Sequence, residues 1–221
     1  MSGQEGWNEK ARDLLARILR DSDCSEFGMM VASGHEKGCV PDIAHDHWGA
    51  PYVIDEAGCE VADSLVSFSD EGDVSACAWV KVTPYSPVVG LGIDLVDAAD
   101  FREAERGSFL VRALFNEDEV RLVRESHPKD VPVGYAFAFG AKEAAFKAMS
   151  QPLRTWRQRH DGGLFFEVRD FALAADGLHA EGVRRASNVF PTLGIDRIRL
   201  GHARLGDLVL VVALAIGTNE T

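Results

Sequence analysis

Paired β-prone runs, each split by turn residues, constrain this chain most. Residues 64–69, "SLVSFS", and 74–82, "VSACAWVKV", flank "DEGD" and read as a hairpin. "GLFFEVRDFALA" and "GLHAEGVRR" flank an "ADG" turn. The stretch "DRIRLGHARLGDLVLVVALAIG" reads as a last hairpin turning near "LGD". Helical patterns stand between these pairs. Leu14, Leu15, Ile18 and Leu19 share one side of a helix over 7–20. Further helices are expected over 98–125, broken near Gly107, and over 132–149. Hairpins with interspersed helices imply an α+β fold with antiparallel sheets packed on helices.

The Pro-bounded "TPYSP" at 83–87 marks a boundary between residues 1–87 and 88–221. Each half carries helix and antiparallel strand, without a sequence repeat between them. With 221 residues, 46% of them hydrophobic, the chain can build one large domain or two small ones.

Charge excludes one class of partner. The chain has 35 acidic and 23 basic residues, a net charge of −12, so it has no general attraction for nucleic acid. An anionic partner must be met by a local basic patch or a bound cation. No run approaches the roughly eighteen apolar residues of a membrane helix, and the start lacks the order of a secretory signal. Cys24, Cys39, Cys59 and Cys77 are far apart, which fits a reduced, cytoplasmic protein. "HDH" at 45–47 lies in a polar stretch read as loop, where two histidines are ordinarily solvated.

Two elements carry chemistry. In "VVGLGIDLV" (88–96), Asp94 interrupts an apolar strand. A buried carboxylate costs several kcal/mol unless it is paired or binds a cation, so Asp94 either ends the strand in solvent or has such a partner. In "FGAKEAAFKAM" (139–149), Glu143 and Lys147 lie one helical turn apart on one face. Alone, that spacing fits an exposed ion pair as well as a site.

Taken together, "GLGIDLVDAADF" and "FAFGAKEAAFKAM" resemble the signature of the 4′-phosphopantetheinyl transferases, a GxD strand followed some fifty residues later by F-x-x-K-E-A-x-x-K. "GAP" (49–51) and "VSFSDEGDVSACAW" (66–79) resemble upstream elements of the longer, pseudo-dimeric type that activates peptide synthetases. The resemblance implies two similar halves related by a pseudo-twofold, acting as a monomer, with coenzyme A in the cleft between them. It implies transfer of the phosphopantetheine arm of coenzyme A to a serine of an acyl or peptidyl carrier protein, releasing adenosine 3′,5′-bisphosphate. Asp94 and Glu143 match the family's magnesium-binding carboxylates. Lys147 matches the lysine near the reacting phosphate, where it neutralises developing charge or helps the serine lose its proton. An ordinary lysine, with a pKa of about 10.4, suits the first role better.

Lys142 is a candidate phosphate contact or a solvated lysine. Ser69 and Asp70 fall in the segment expected to meet coenzyme A. Asp70 stands where the longer type has a histidine contacting a coenzyme A phosphate, and Val96 where it has a third acidic metal ligand. Arg12, Arg17, Arg20 and Lys37 are the available substitutes for holding the nucleotide's 3′-phosphate. "LRTWRQRH" (153–160) brings Arg154, Trp156, Arg157 and Arg159 together without an acid, either as a carrier-docking patch or as a surface loop. Two competing readings keep the site and change its use: a non-catalytic binder of carrier or coenzyme A, and a metal-dependent diphosphate hydrolase.

Overall fold

The computed structural model describes residues 3–20, 22–33, 42–47, 49–103, 109–160 and 163–218. Lys37, Cys39 and the expected break at Gly107 lie outside them. The chain opens with α1 (Gly3–Ile18) and β1 (Cys24–Ser33), then the short strands β2 (Ile43–His45) and β3 (Pro51–Val53). The hairpin β4 (Ser64–Glu71) and β5 (Val74–Val82) turns at Gly72, whose φ of 60° lies in the left-handed region that glycine tolerates. After β6 (Val88–Asp97) and a 3-10 turn come α2 (Phe109–Leu114), α3 (Glu117–Ser126), α4 (Val131–Ala148) and α5 (Ser150–Arg157). The chain finishes with β7 (Phe171–Leu173), β8 (His179–Gly182), α6 (Ala186–Thr192), β9 (Ile195–Leu205) and β10 (Leu208–Gly217).

The expected α+β architecture is present. Two sheets dominate it, one ordered β1-β5-β4 and one ordered β6-β10-β9-β8-β7, with β2 and β3 paired separately. The paired strands are antiparallel throughout. The unbroken apolar run of β10 supplies two cores by strand alternation. Val209, Val211, Ala213 and Ala215 face α4, joined by Val96. Leu210, Val212 and Leu214 face the other way, with Leu91, Ile93 and Leu95 of β6. This second core takes in Leu14 and Leu15 of α1, Met29 and Val31 of β1, and Ala76, Ala78 and Val80 of β5. It therefore draws on both sides of the connection at 83–87. Each fully buried Leu or Ile contributes roughly 1.5–3 kcal/mol by leaving water.

The α4 helix runs against β6 at backbone distance. A Cβ built on Gly92 would lie 1.9 Å from the Ala144 carbonyl oxygen, and one on Gly90 the same distance from that of Ala148. Both positions therefore require glycine. Gly140 of α4 faces Val96 in the same row, its added Cβ 3.0 Å from a Val96 methyl. Asp94 lies within that row, facing the helix.

Three local expectations are corrected. The polar stretch before residue 54 is not all loop, since β2 and β3 pair within it. The helical span over 98–125, expected with a break near Gly107, begins as a 3-10 turn and is divided again between α2 and α3; a capping box closes the start of α3, in which Asn116 and Glu119 serve each other's backbone amides. Of the stretch 153–160, for which a surface loop is one of two readings, residues 153–157 belong to the helix α5.

Candidate active site

As the first strand in its sheet, β6 has one edge without a strand partner among the described residues. Its outward amides would be orphaned donors in the interior. Side chains take them instead. Leu91 N–H donates to Gln151 Oε1 (3.3 Å), Ile93 N–H to Ser67 Oγ (3.0 Å) and Leu95 N–H to Ser69 Oγ (3.0 Å). The Asp97 amide donates to the Glu71 carboxylate. Ser67, Ser69 and Glu71 alternate along β4, so a period of two on one strand matches every second amide on the other. Gln151 Nε2 also donates to the Val66 carbonyl at 2.8 Å. The alternation "SxSxE" in "VSFSDE" is thereby accounted for.

At the centre of this seam Lys147 meets Asp94. Lys147 Nζ lies 2.7 Å from Asp94 Oδ1 and also donates to the Ile93 carbonyl (3.1 Å) and to Ser69 Oγ (3.3 Å). Ser69 donates to the same Asp94 oxygen at 2.9 Å. The Asp94 side chain is 9% exposed and that of Lys147 29%. Burial pushes the Asp94 carboxyl above its ordinary range, opposed by the Lys147 ammonium and by the Lys147 and Ser69 hydrogen bonds. Glu143 is half-buried beside them. Burial, then the Asp94 charge, raise its pKa, and Lys147 opposes the shift.

Next to the pair opens a cavity of about 440 Å³. Ala50 and Pro51 of the "GAP" segment, Val66 and Phe68 of β4, and Phe146 and Phe166 form its largely apolar wall, with Lys147 at its border. Elements from before and after residue 87 thus enclose it together. Its volume and its few charged groups are those of a small-molecule site.

The remaining candidates divide sharply. Lys142 is turned away from Asp94 and buried. Its Nζ donates to Glu119 Oε2 (2.8 Å) and to the Leu114 carbonyl (2.7 Å), while Glu119 Oε1 accepts the Leu173 amide (3.1 Å). The structure thus gives Lys142 an internal partner rather than a solvated or cavity-facing position. Asp70 is exposed and does not line the cavity. Val96 is buried against α4, and the neighbouring Asp97 caps the 3-10 turn by accepting the Ala99 amide at 2.7 Å. Arg12 and Arg17 are exposed on α1 and Arg20 just beyond its end, away from the cavity lining.

Arg154 is engaged inside the molecule. It forks onto Glu60 (2.7 and 2.5 Å), reaches Asp46 at 3.6 Å and lies over the Tyr52 ring, 4.4 Å from its centre. It therefore clamps the β2–β3 arm onto α5 and forms one side of the cavity. Arg157 lines the cavity and donates to the Leu164 carbonyl at 3.2 Å. Trp156 stacks on His160, with ring centres 4.6 Å apart, and Arg159 is exposed. In "HDH", His45 and Asp46 border the cavity. Asp46 also accepts the Ala50 amide at 2.8 Å, a role that sequence pattern did not show.

The donor set suits magnesium in its usual open mode, in which one or two carboxylates act with substrate phosphates and water. Asp94 and Glu143 are two such carboxylates, close enough for the charge of one to raise the pKa of the other. Among the described residues no group of three or more His, Cys, Asp or Glu side chains forms a metal cage. No helix among them is long and apolar enough to cross a membrane.

No curated protein matches the sequence. Similar solved structures include a holo-ACP-synthase from Plasmodium yoelii, 20% identical with a TM-score of 0.44, over 60% of this chain and 97% of that one. An acyl carrier protein synthase of the same organism with ADP bound is 17% identical, TM-score 0.38, with the same coverage. The acyl carrier protein synthase of Mycobacterium tuberculosis is 25% identical, TM-score 0.35, over 59% of this chain and 99% of that one. A family model matches residues 90–185, the span that contains Asp94, Glu143 and Lys147. That model describes the 4′-phosphopantetheinyl transferase superfamily, to which this span of the chain is similar.

Proposed function

We propose that this protein transfers the 4′-phosphopantetheine arm of coenzyme A to a serine of an apo acyl or peptidyl carrier protein. The observation that carries the reading is the buried Asp94 paired with Lys147, which lines a cavity bounded by both halves of the chain, with Glu143 beside the pair. Residues 1–87 and 88–221 act as the two walls of one coenzyme A site, so that a single chain suffices as the active unit.

The serine oxygen forms a bond to the phosphorus that carries the pantetheine arm. The bridging P–O bond breaks, and adenosine 3′,5′-bisphosphate leaves with that oxygen. The serine proton passes to a base or to water. Negative charge accumulates on the phosphoryl oxygens, and the Lys147 ammonium offsets it. Asp94 holds that ammonium at the end of a flexible stem, while Glu143 completes a carboxylate pair. Magnesium held by Asp94 and Glu143 would neutralise diphosphate charge, which matters in a chain of net charge −12. The apolar cavity wall excludes water from the diphosphate. The exposed end of α5, with Arg159 beyond Arg157, offers positive charge to an acidic carrier.

The test is incubation of the protein with coenzyme A, magnesium and several apo carriers, followed by intact-mass measurement. A carrier mass gain matching phosphopantetheine is expected, and Glu143→Gln removes it. No transfer to any carrier sinks the proposal, and release of free phosphopantetheine points to a hydrolase instead.

A further inference from the structure

On sequence pattern Ser69 belongs to the segment that meets coenzyme A. Its bonding describes a different task. The Oγ is buried and engaged three times: it accepts from the Leu95 amide (3.0 Å), accepts from Lys147 Nζ (3.3 Å) and donates to Asp94 Oδ1 (2.9 Å). A serine hydroxyl has one proton and two lone pairs, and all three are used here. A phosphate oxygen is an acceptor and needs that proton, which Asp94 already takes. Ser69 is also absent from the cavity lining.

The groups it touches are those that most need fixing. A carboxylate turns broadly about its terminal torsion, and a lysine ammonium rides on four flexible carbons. Ser69 is itself tied to the edge of β6 through Leu95, the residue next to Asp94. It therefore refers both charged groups to one rigid backbone. We propose that Ser69 is a positioning residue for phosphopantetheine transfer, setting Asp94 and Lys147 relative to each other rather than binding coenzyme A. The inference rests on the reading of Asp94 and Lys147 given above.

The seam contains its own control. Gln151 makes the same kind of bond to the same edge, at Leu91, and a second to Val66, yet it hydrogen-bonds to neither Asp94 nor Lys147. A role in joining β4 to β6 is therefore separable from a role in positioning.

The experiment uses the full chain as wild type, Ser69→Ala, Ser69→Thr and Gln151→Ala, with coenzyme A, magnesium and an apo carrier. For Ser69→Ala, kcat falls about 10- to 100-fold, the range that misplacement of reacting groups by an ångström produces. Its coenzyme A Kd by calorimetry stays within about twofold of wild type, as expected where no ligand contact is lost. Ser69→Thr, which keeps the hydroxyl, recovers most of the rate. Gln151→Ala lowers Tm comparably but leaves kcat nearly unchanged. A crystal structure of Ser69→Ala shows Lys147 Nζ out of hydrogen-bond reach of Asp94. A tenfold weaker coenzyme A Kd with kcat retained makes Ser69 a ligand contact and overturns the inference. So does a loss of kcat in Gln151→Ala equal to that in Ser69→Ala, or an unmoved Asp94–Lys147 pair in the crystal. Absence of transfer by the wild type, in contrast, overturns the proposed function and leaves the crystallographic test of positioning standing.

Discussion

Two lysines of α4, five residues apart, have opposite fates. Lys142 and Glu119 are 6% and 1% exposed, and their bonds run to the α2–α3 junction and to β7. Lys147 keeps 29% of its side chain exposed and borders the cavity. Both make ion pairs of similar length, 2.8 and 2.7 Å. What separates them is access. The first pair is sealed from solvent and bonded within the protein, so it holds elements together. The second has an ammonium that donates to Asp94, Ser69 and Ile93 yet keeps an exposed flank at the cavity border, and a carboxyl whose pKa is pushed up by burial, the profile of a reactive group. An ion pair in a signature motif is thus assigned by what surrounds it.

The comparison can be broken most forcefully at Lys142. Lys142→Met strands a buried carboxylate, which costs about 3–5 kcal/mol. In a chain of this size that lowers Tm by roughly 10 °C or more. Adding Glu119→Gln restores part of the loss, since it removes the stranded charge and keeps an acceptor for the amides that Glu119 serves. Unchanged Tm with weakened coenzyme A binding would reverse the roles assigned to the two lysines. Next in size, Lys147→Met lowers kcat about 10²- to 10³-fold, as loss of one charge-stabilising group does. Its melting curve should fall by less than half as much as that of Lys142→Met.

The clamp at Arg154 gives a smaller effect. Arg154→Ala frees the β2–β3 arm and should raise the KM for coenzyme A by about tenfold, the equivalent of ~1.4 kcal/mol, with less change in the carrier KM. Arg159→Glu does the opposite, raising the carrier KM a few-fold. Equal effects of both variants on both substrates would argue against any division of labour along α5. The smallest effect concerns stability. Burial and the Asp94 charge raise the Glu143 pKa in the folded state, so its ionisation opposes folding. The wild type therefore gains stability as pH falls through that raised value and loses it as pH rises through it. Glu143→Gln lacks the ionisation and should melt slightly higher at pH 7, with the difference vanishing in acid. Calorimetric scans from pH 7 to 3 test the sign.

Alternation and turn residues made the α+β class, the β4–β5 and β9–β10 hairpins and the motif helix legible in advance. Their signals are local. Asp94, Glu143 and Lys147 stood out only through the pairing of two motifs fifty residues apart, and the fold brings the three side chains together. Lys142 was misjudged because its partner, Glu119, lies in another helix and no spacing rule connects them. Arg154 was misjudged similarly, since Glu60 and Asp46 reach it from a segment that reads as loop. The serines of β4 showed their alternation in the sequence. Their purpose depends on which strand edge lies opposite, a fact of tertiary arrangement.

That edge arrangement has a consequence beyond catalysis. A sheet ordered β6-β10-β9-β8-β7 has two outer strands, and unpaired backbone there invites strand addition from another molecule. Along β6 the amides of Leu91, Ile93, Leu95 and Asp97 are already occupied by Gln151, Ser67, Ser69 and Glu71. On β7, only three residues long, the Leu173 amide is held by Glu119. The polar side chains that organise the interior thus also seal the sheet against intermolecular β-pairing, so loosening them should promote aggregation as well as local disorder.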